Sequence, residues 1–389
     1  MKKKDYVPFN PPYMKAMWLS QFDLTHVYLK DGIQREKAGF SEIVTRIIND
    51  VKEAGFNTVI VQTRPNADSL YPSAVYPASV YCTGKYGRTL TYDPFEIIVD
   101  AAHSAGLSVH AWINPMRCMT DDEIGLVGDG FAVGKWYADE KTHGKQLSSV
   151  SGRWYLNPAY AEARLLINEG AAELLDRYDL DGLHMDDYFY PTTDEAFDAA
   201  AYSEYVTNGG SLSLPDFRRE MLDRLIAGLY ATVKSRGNDI KFGISPAGNI
   251  GTVYEKQYAD VYRWCRENGR IDYLTPQVYF GLEHETFDFV TVCDTFRSII
   301  KNPSVSFTVG MTFGKAKSKF DPYAGNGKYE WAKHRDIMRR CLEHVLNDSS
   351  CSGIAVFCYS YFRDPVTGKR VEETLEEADG FCELLSTVG

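Results

Sequence analysis

The feature that most restricts the fold is a unit repeated eight times along the chain: a short apolar strand, a polar loop, then an amphipathic helix. The strands are expected near Lys15–Phe22, Thr58–Arg64, Leu107–Asn114, Asp181–Asp187, Lys241–Pro246, Ile271–Phe280, Ser304–Phe313 and Gly353–Tyr361. The helices are expected near Ser41–Ala54, Pro94–Ala105, Ala159–Tyr178, Leu214–Ser235, Val253–Glu267, Phe287–Ile300, Trp331–Leu346 and Glu372–Ser386. Strands separated by helices of this length pair in parallel. Eight such units in 389 residues predict an α/β fold, a closed (β/α)8 TIM barrel taken as one domain over residues 1–389. An open doubly wound sheet is the competing arrangement, but no Gly-rich phosphate loop follows the first strand.

Gly55, Gly106, Gly237 and Gly269 each fall just after a helix and before a strand, where a left-handed helix stop belongs. Two of the connections from strand to helix are far longer than the rest, near residues 115–158 and 188–213. In this kind of barrel the loops at the carboxyl ends of the strands carry the chemistry, so these insertions stand on the side that meets a ligand.

The fourth strand ends in LDGLHMDDYFYP, residues 180–191. Asp186 and Asp187 are adjacent carboxylates at the end of an apolar strand. They repel each other, and burial raises the cost of ionising both. The pair reads either as a cap for the following turn or as an acid with an electrostatic partner, as glycoside hydrolysis needs.

Strand parity sorts side chains between the lumen and the helices. The inward set contains Trp18 and Ser20; Gln62 and Arg64, with Asn66 beyond; His110, Trp112 and Asn114; His184, Asp186 and Tyr188; and Tyr273, Thr275, Gln277 and Tyr279. A lumen of this kind is normally filled by branched aliphatics. Polar groups there must satisfy one another or a ligand. His110 and Gln62 read as either. Near the carboxyl ends a ligand is the better account of Arg64, Asn114, Asp186, Gln277 and Tyr279. Trp18 and Trp112 either floor a sugar site or fill the lumen. Arg64 suits a bidentate hold on a substrate carboxylate, such as a lactyl or uronic group, or an ion pair with Asp68 or Asp186.

The net charge of −11 argues against non-specific nucleic-acid binding and against an anionic membrane surface. No apolar run reaches membrane length. Eight cysteines are scattered with no CxxC pair and read as small buried hydrophobes. The start MKKKDYVPFNPPYMK has basic residues with no apolar run after them. The expectation is a cytoplasmic protein as the chain stands, or a secreted or cell-envelope protein if a leader was trimmed.

The segments QTRPNADSLYPS, HAWINPMR, WYLNP, DGLHMDDYFYP, FGISPAG and IDYLTPQVYF, in that order, resemble the bacterial glycosyl-hydrolase-like 10 family. The resemblance runs from about Met17 to Tyr361. It implies a TIM barrel related to glycoside hydrolases, with a glycan as partner: envelope polysaccharide, including peptidoglycan strands stripped of peptides. The family's motif positions fall here on Arg64, Asn66, Asp68, Asn114, Asp186, Asp187, Gln277 and Tyr279.

Ordinary glycosidases place two carboxylates across the scissile bond. The other strand ends offer Asn114, Ser245, Gln277, Tyr279 and Thr312 instead. Either a loop carboxylate, Asp68, Glu283 or Glu285, swings in as nucleophile or base, or the substrate's own acetamido oxygen attacks. In the second scheme Asp186 orients the acetamido group, Asp187 protonates the leaving oxygen and Tyr279 hydrogen-bonds the acetamido oxygen. Trp112, His184 and Tyr188 complete the expected substrate contacts. No cofactor is expected. A metal hydrolase built on His110, His184 and Asp186, and a non-catalytic glycan-binding barrel, are the competing classes.

Overall fold

The computed structural model describes residues 6–388; Met1–Asp5, the basic start of the chain, and Gly389 lie outside them. Eight parallel strands close into a barrel in sequential order: β1 (Met14–Leu19), β2 (Thr58–Arg64), β3 (Ser108–Ile113), β4 (Gly182–Met185), β5 (Lys241–Ile244), β6 (Tyr273–Leu274), β7 (Ser306–Thr312) and β8 (Cys351–Phe357). Closure is made by β1, which pairs Met14 with Gly353 on one side and Ala16 with Thr58 on the other. No helix among the described residues is long and apolar enough to cross a membrane. All eight cysteines are free, and all but Cys382 are buried.

The outward parity of the strands packs on the helices. Helix Lys37–Glu53 buries Phe40, Ile43, Val44, Ile47, Ile48 and Val51, the stripe that a 3.6-residue period places on one side. Each such side chain contributes about 1.5–3 kcal/mol by leaving water. Helix Pro94–Ser104 starts on an Asp93 cap with Pro94 at its first position, and helix Leu214–Lys234 starts on Ser213. Gly55, Gly106 and Gly269 adopt positive φ as expected of helix stops, whereas Gly237 does not.

Several expected elements are shorter or divided. β1 ends at Leu19, because Ser20 and Asp23 form a reciprocal cap that starts helix Gln21–Tyr28. β6 keeps only two ladder residues, since Pro276 has no N–H to give. The chain stays in register beyond it, with Gln277 bridging to Ala247 and Gly310. The helix expected over 253–267 is two short ones, Ile250–Glu255 and Val261–Trp264, separated by Tyr258 at φ 55° and restarted by an Asp260 cap. The helix expected over 331–346 is likewise Glu330–Lys333 and Ile337–Leu346.

The long insertion after β3 carries its own antiparallel sheet, with Arg153–Leu156 between Arg117–Thr120 and Leu147–Val150. The insertion after β4 contains helix Ala199–Thr207 and is pinned by a buried ion pair. Arg218 from helix Leu214–Lys234 bonds Asp198 through Nε and Nη2, and also bonds the Asp194 carbonyl and the Tyr258 hydroxyl.

Candidate active site

The lumen is polar along its length. Asn10, ahead of β1, gives its amide N–H groups to the Asp181 and Asp239 carbonyls at the foot of the barrel. Its Oδ1 meets His110 Nε2 at 3.0 Å. His110 Nδ1 lies 2.8 Å from the Tyr273 hydroxyl, which lies 2.9 Å from His184 Nδ1. His184 Nε2 is 2.9 Å from Ser245 Oγ. Burial lowers the proton affinity of both imidazoles, that of His110 to about 4. Room for these rings comes from two glycines. A Cβ on Gly182 would stand 2.4 Å from the His110 ring, and one on Gly243 would stand 2.0 Å from the Tyr273 ring.

Above this column a pocket of about 190 Å³ opens at the carboxyl ends of the strands. Its walls include Trp18, Gln62, Trp112, Arg117, Asp186, Asp187, Tyr188, Ser245, Gln277, Tyr279 and Phe357, with Gln21 and Phe22 at the first loop. Asp186 continues the inward parity of Gly182 and His184 one residue past the last paired position of β4. It is 3% exposed. Its Oδ1 accepts the Tyr188 N–H at 3.3 Å and its Oδ2 accepts Asn114 Nδ2 at 2.5 Å. Asn114 is aimed in turn by Gln62, whose Nε2 donates to its Oδ1 at 2.8 Å and whose Oε1 accepts the Gln21 N–H at 2.7 Å.

Burial, and then the neighbouring Asp187 carboxylate, hold the Asp186 carboxyl well above the usual range, against the pull of the Tyr188 and Asn114 donors. Burial also raises Asp187, against the Gln277 amide beside it. The two titrate as a unit. Gln277 donates to the Ser245 carbonyl at 3.1 Å. Tyr279 stacks on Phe357, with centroids 6.1 Å apart, and burial plus the Asp pair keep its hydroxyl protonated. The Trp112 indole N–H is buried without a hydrogen-bond partner of good geometry.

Asp186, Asp187, Trp112, Tyr188, Gln277 and Tyr279 thus share one pocket, and Asn114 stands directly behind Asp186. Arg64, Asn66 and Asp68, expected among the substrate contacts, do not line it. A bulge on β2 sets Gln62 opposite Trp112 and Arg64 opposite Ile113, so Thr63 is the extra residue and Arg64 takes the outward parity. Arg64 is fully buried against helix Ala161–Arg177. Its Nη1 donates to the Tyr76 hydroxyl at 2.6 Å, and its guanidinium lies 4.7 Å from the Tyr76 ring centre. It makes neither of the ion pairs considered above. Asn66 accepts from Arg153. Asp68 is buried in the same loop, bonded to the Asn66 N–H at 2.9 Å and the Tyr86 hydroxyl at 2.8 Å. His184 lies in the column beneath the pocket, with both ring nitrogens taken by the protein, as are those of His110.

Gln21, Phe22, Arg117 and Phe357 are pocket residues outside the inward set expected from strand parity. Gln21 and Phe22 reach the pocket from the start of helix Gln21–Tyr28, and the Ser20–Asp23 capping pattern was the available signal for that helix. Arg117 lies past the end of β3, where parity no longer applies; only its place in the HAWINPMR segment marked it. Neither Glu283 nor Glu285 lines the pocket: Glu283 lies 3.6 Å from His334, and Glu285 accepts the Asn326 N–H.

A closed parallel barrel with aromatic walls and paired carboxyls at the carboxyl ends of its strands defines the class: a TIM-barrel protein of glycoside-hydrolase type. The chain belongs to the Glycosyl hydrolase-like 10 family, whose model matches residues 13–324. It is 32% identical over 328 residues to the glycosyl hydrolase YngK of Bacillus subtilis (strain 168), covering 79% of this chain and 62% of that protein. It is 28% identical over 386 residues to the glycosyl hydrolase DigH of Escherichia coli (strain K12), covering 92% of this chain and 85% of that one. Among solved structures it resembles the PgaB (BpsB) glycoside hydrolase domain of Bordetella bronchiseptica, with TM-score 0.60, 12% identity, and 97% and 100% of the two chains covered. It also resembles the endo-1,4-beta-mannanase of Rhizomucor miehei, with TM-score 0.55, 10% identity, and 98% and 96% covered.

Proposed function

We propose that the chain is a glycosidase acting on a bacterial glycan containing N-acetylhexosamine, of the peptidoglycan kind, with Asp187 as general acid and Asp186 as its orienting partner. One observation carries this reading: among the described residues, the carboxyl groups lining the pocket are the adjacent pair alone. A second carboxylate across the bond is lacking, and the loop acids offered for that role are engaged elsewhere. The nucleophile is then the substrate's acetamido oxygen.

In this scheme Asp186, held by Asn114 and Tyr188, accepts the acetamido N–H and balances the positive charge that develops there. The acetamido oxygen bonds to the anomeric carbon as the glycosidic C–O bond breaks. Asp187, less enclosed, gives its proton to the departing oxygen. Tyr279 donates to the acetamido oxygen and positions it. Water then opens the oxazolinium ring, returning a proton to Asp187, and configuration is retained. The two carboxyls titrate as a unit, and the raised proton affinity of the pair keeps a proton available for the transfer from Asp187.

The test is Asp186→Asn and Asp187→Asn, measured as release of saccharides from peptide-free peptidoglycan strands and from N-acetylglucosamine oligomers. General acid catalysis contributes about 10²–10⁴-fold, and each variant should lose turnover on that scale. Near-normal turnover in both removes the pair from catalysis. Tight binding with no release by the parent protein favours a glycan-binding barrel instead.

A further inference from the structure

Among the described residues, Arg117 is a cation with no anion beside it. It lies at the pocket wall, half-buried, at the start of strand Arg117–Thr120. Its guanidinium lies 4.9 Å from the centre of the Tyr188 ring, on the residue after Asp187. Among the described residues it makes no ion pair and no side-chain hydrogen bond. Other arginines are engaged: Arg218 with Asp198, and Arg263 and Arg270 with Asp223. The backbone of Arg117 pairs with Tyr155 in the insertion sheet, and the adjacent Met116 carbonyl accepts the Leu156 N–H at 2.7 Å. The residue therefore stands on a braced element, with the Tyr188 ring against its guanidinium and five N–H donors that no protein acceptor among the described residues takes.

A pocket with two carboxyls on its floor, in a chain of net charge −11, repels anions. A guanidinium left unpaired at its mouth reverses that locally.

We infer that Arg117 recognises a carboxylate borne by the substrate sugar and is a specificity-determining residue of the pocket. This rests on the glycosidase reading above and names the residue that reads the substrate's charge. Two sources share the chemistry, a lactyl ether on an amino sugar and a uronic acid. The fork geometry of Arg accepts either through two parallel N–H···O bonds.

The experiment compares peptide-free strands containing muramic acid, oligomers of glucuronate and N-acetylglucosamine, and the same two materials with their carboxyls reduced to alcohols. The readout is the ratio of kcat/KM between each acidic glycan and its reduced form. Charge-assisted bonds of this kind are worth about 10- to 100-fold. The parent protein is expected to favour at least one acidic form by that factor, which identifies the source. Arg117→Gln should bring the ratio towards one through KM, and Arg117→Lys should keep part of it. A parent protein indifferent to reduction, or an Arg117→Gln variant that keeps the full ratio, overturns the inference. If no glycan is cleaved, the glycosidase reading fails by itself, and the comparison is read as Kd by calorimetry. A preference lost in Arg117→Gln then still supports carboxylate recognition. No preference, or no binding, overturns it.

Discussion

Gln62 Nε2 donates to Asn114 Oδ1 at 2.8 Å, and this bond decides which end of the Asn114 amide Asp186 meets. With its oxygen occupied by a donor, Asn114 can only present Nδ2 to the carboxyl. The orientation of Asp186 is thus set from β2 through β3, before any ligand arrives.

Removing that donor has a signed effect. The Asn114 N–H lowers the proton affinity of Asp186, so Asn114→Ala raises it further. The pair then keeps its proton to higher pH, and the alkaline limb of the kcat profile should move up while kcat falls. Gln62→Ala should move it the same way by less. A limb that stays in place, or moves down, breaks the link between this relay and the acid.

The raised carboxyls also cost stability. A group whose folded-state pKa is raised binds more protons folded than unfolded, so its own contribution to stability is fully present below the unfolded value near 3.8 and is lost as pH rises through the folded one. Asp187→Asn removes that loss. The variant should melt about 1–3 °C above the parent at pH 7–8, with the gain vanishing near pH 3. Thermal melts across this range check it; an equal gain at both ends would point to packing instead.

Arg218 and Asp198 are both fully enclosed, with Nη2 and Oδ1 at 2.6 Å. Arg218→Met leaves a buried carboxylate alone, at a cost of about 3–5 kcal/mol. Denaturant unfolding measures it. The double variant Arg218→Met, Asp198→Leu should recover most of the loss, because the uncompensated charge is then gone.

Gly243→Ala inserts a methyl into the Tyr273 ring. Crowding of this kind costs about 1–3 kcal/mol. Adding Tyr273→Phe should not restore stability, since the ring carbons, not the hydroxyl, meet the new Cβ. Pairing Gly243→Ala with Tyr273→Leu should recover part of it.

Much of this architecture was legible because one pattern, alternating strand and helix, repeats with enough regularity to count. The Asp pair was legible too, since two carboxylates at the end of an apolar strand have few other uses. What escaped notice depended on single backbone events. Gln62, Thr63 and Arg64 all suit a strand, so nothing in their identity announces the bulge that turns Arg64 outward. Tyr258 at positive φ divides a helix whose periodicity runs on through it. Pro276, by contrast, marks in the sequence itself where the β6 ladder stops.

The column from Asn10 to Ser245 has one further property: it can point only one way. Asn10 spends both amide hydrogens on carbonyls, so His110 must offer it Nε2–H. A neutral His110 then accepts from Tyr273 at Nδ1, Tyr273 accepts from His184, and His184 takes the Ser245 proton. Nitrogen-15 shifts should accordingly show Nε2–H in His110 and Nδ1–H in His184. The polarity of a hydroxyl at the pocket floor is written at the opposite end of the barrel: Ser245 can only receive, and any ligand group settling on it has to be a giver.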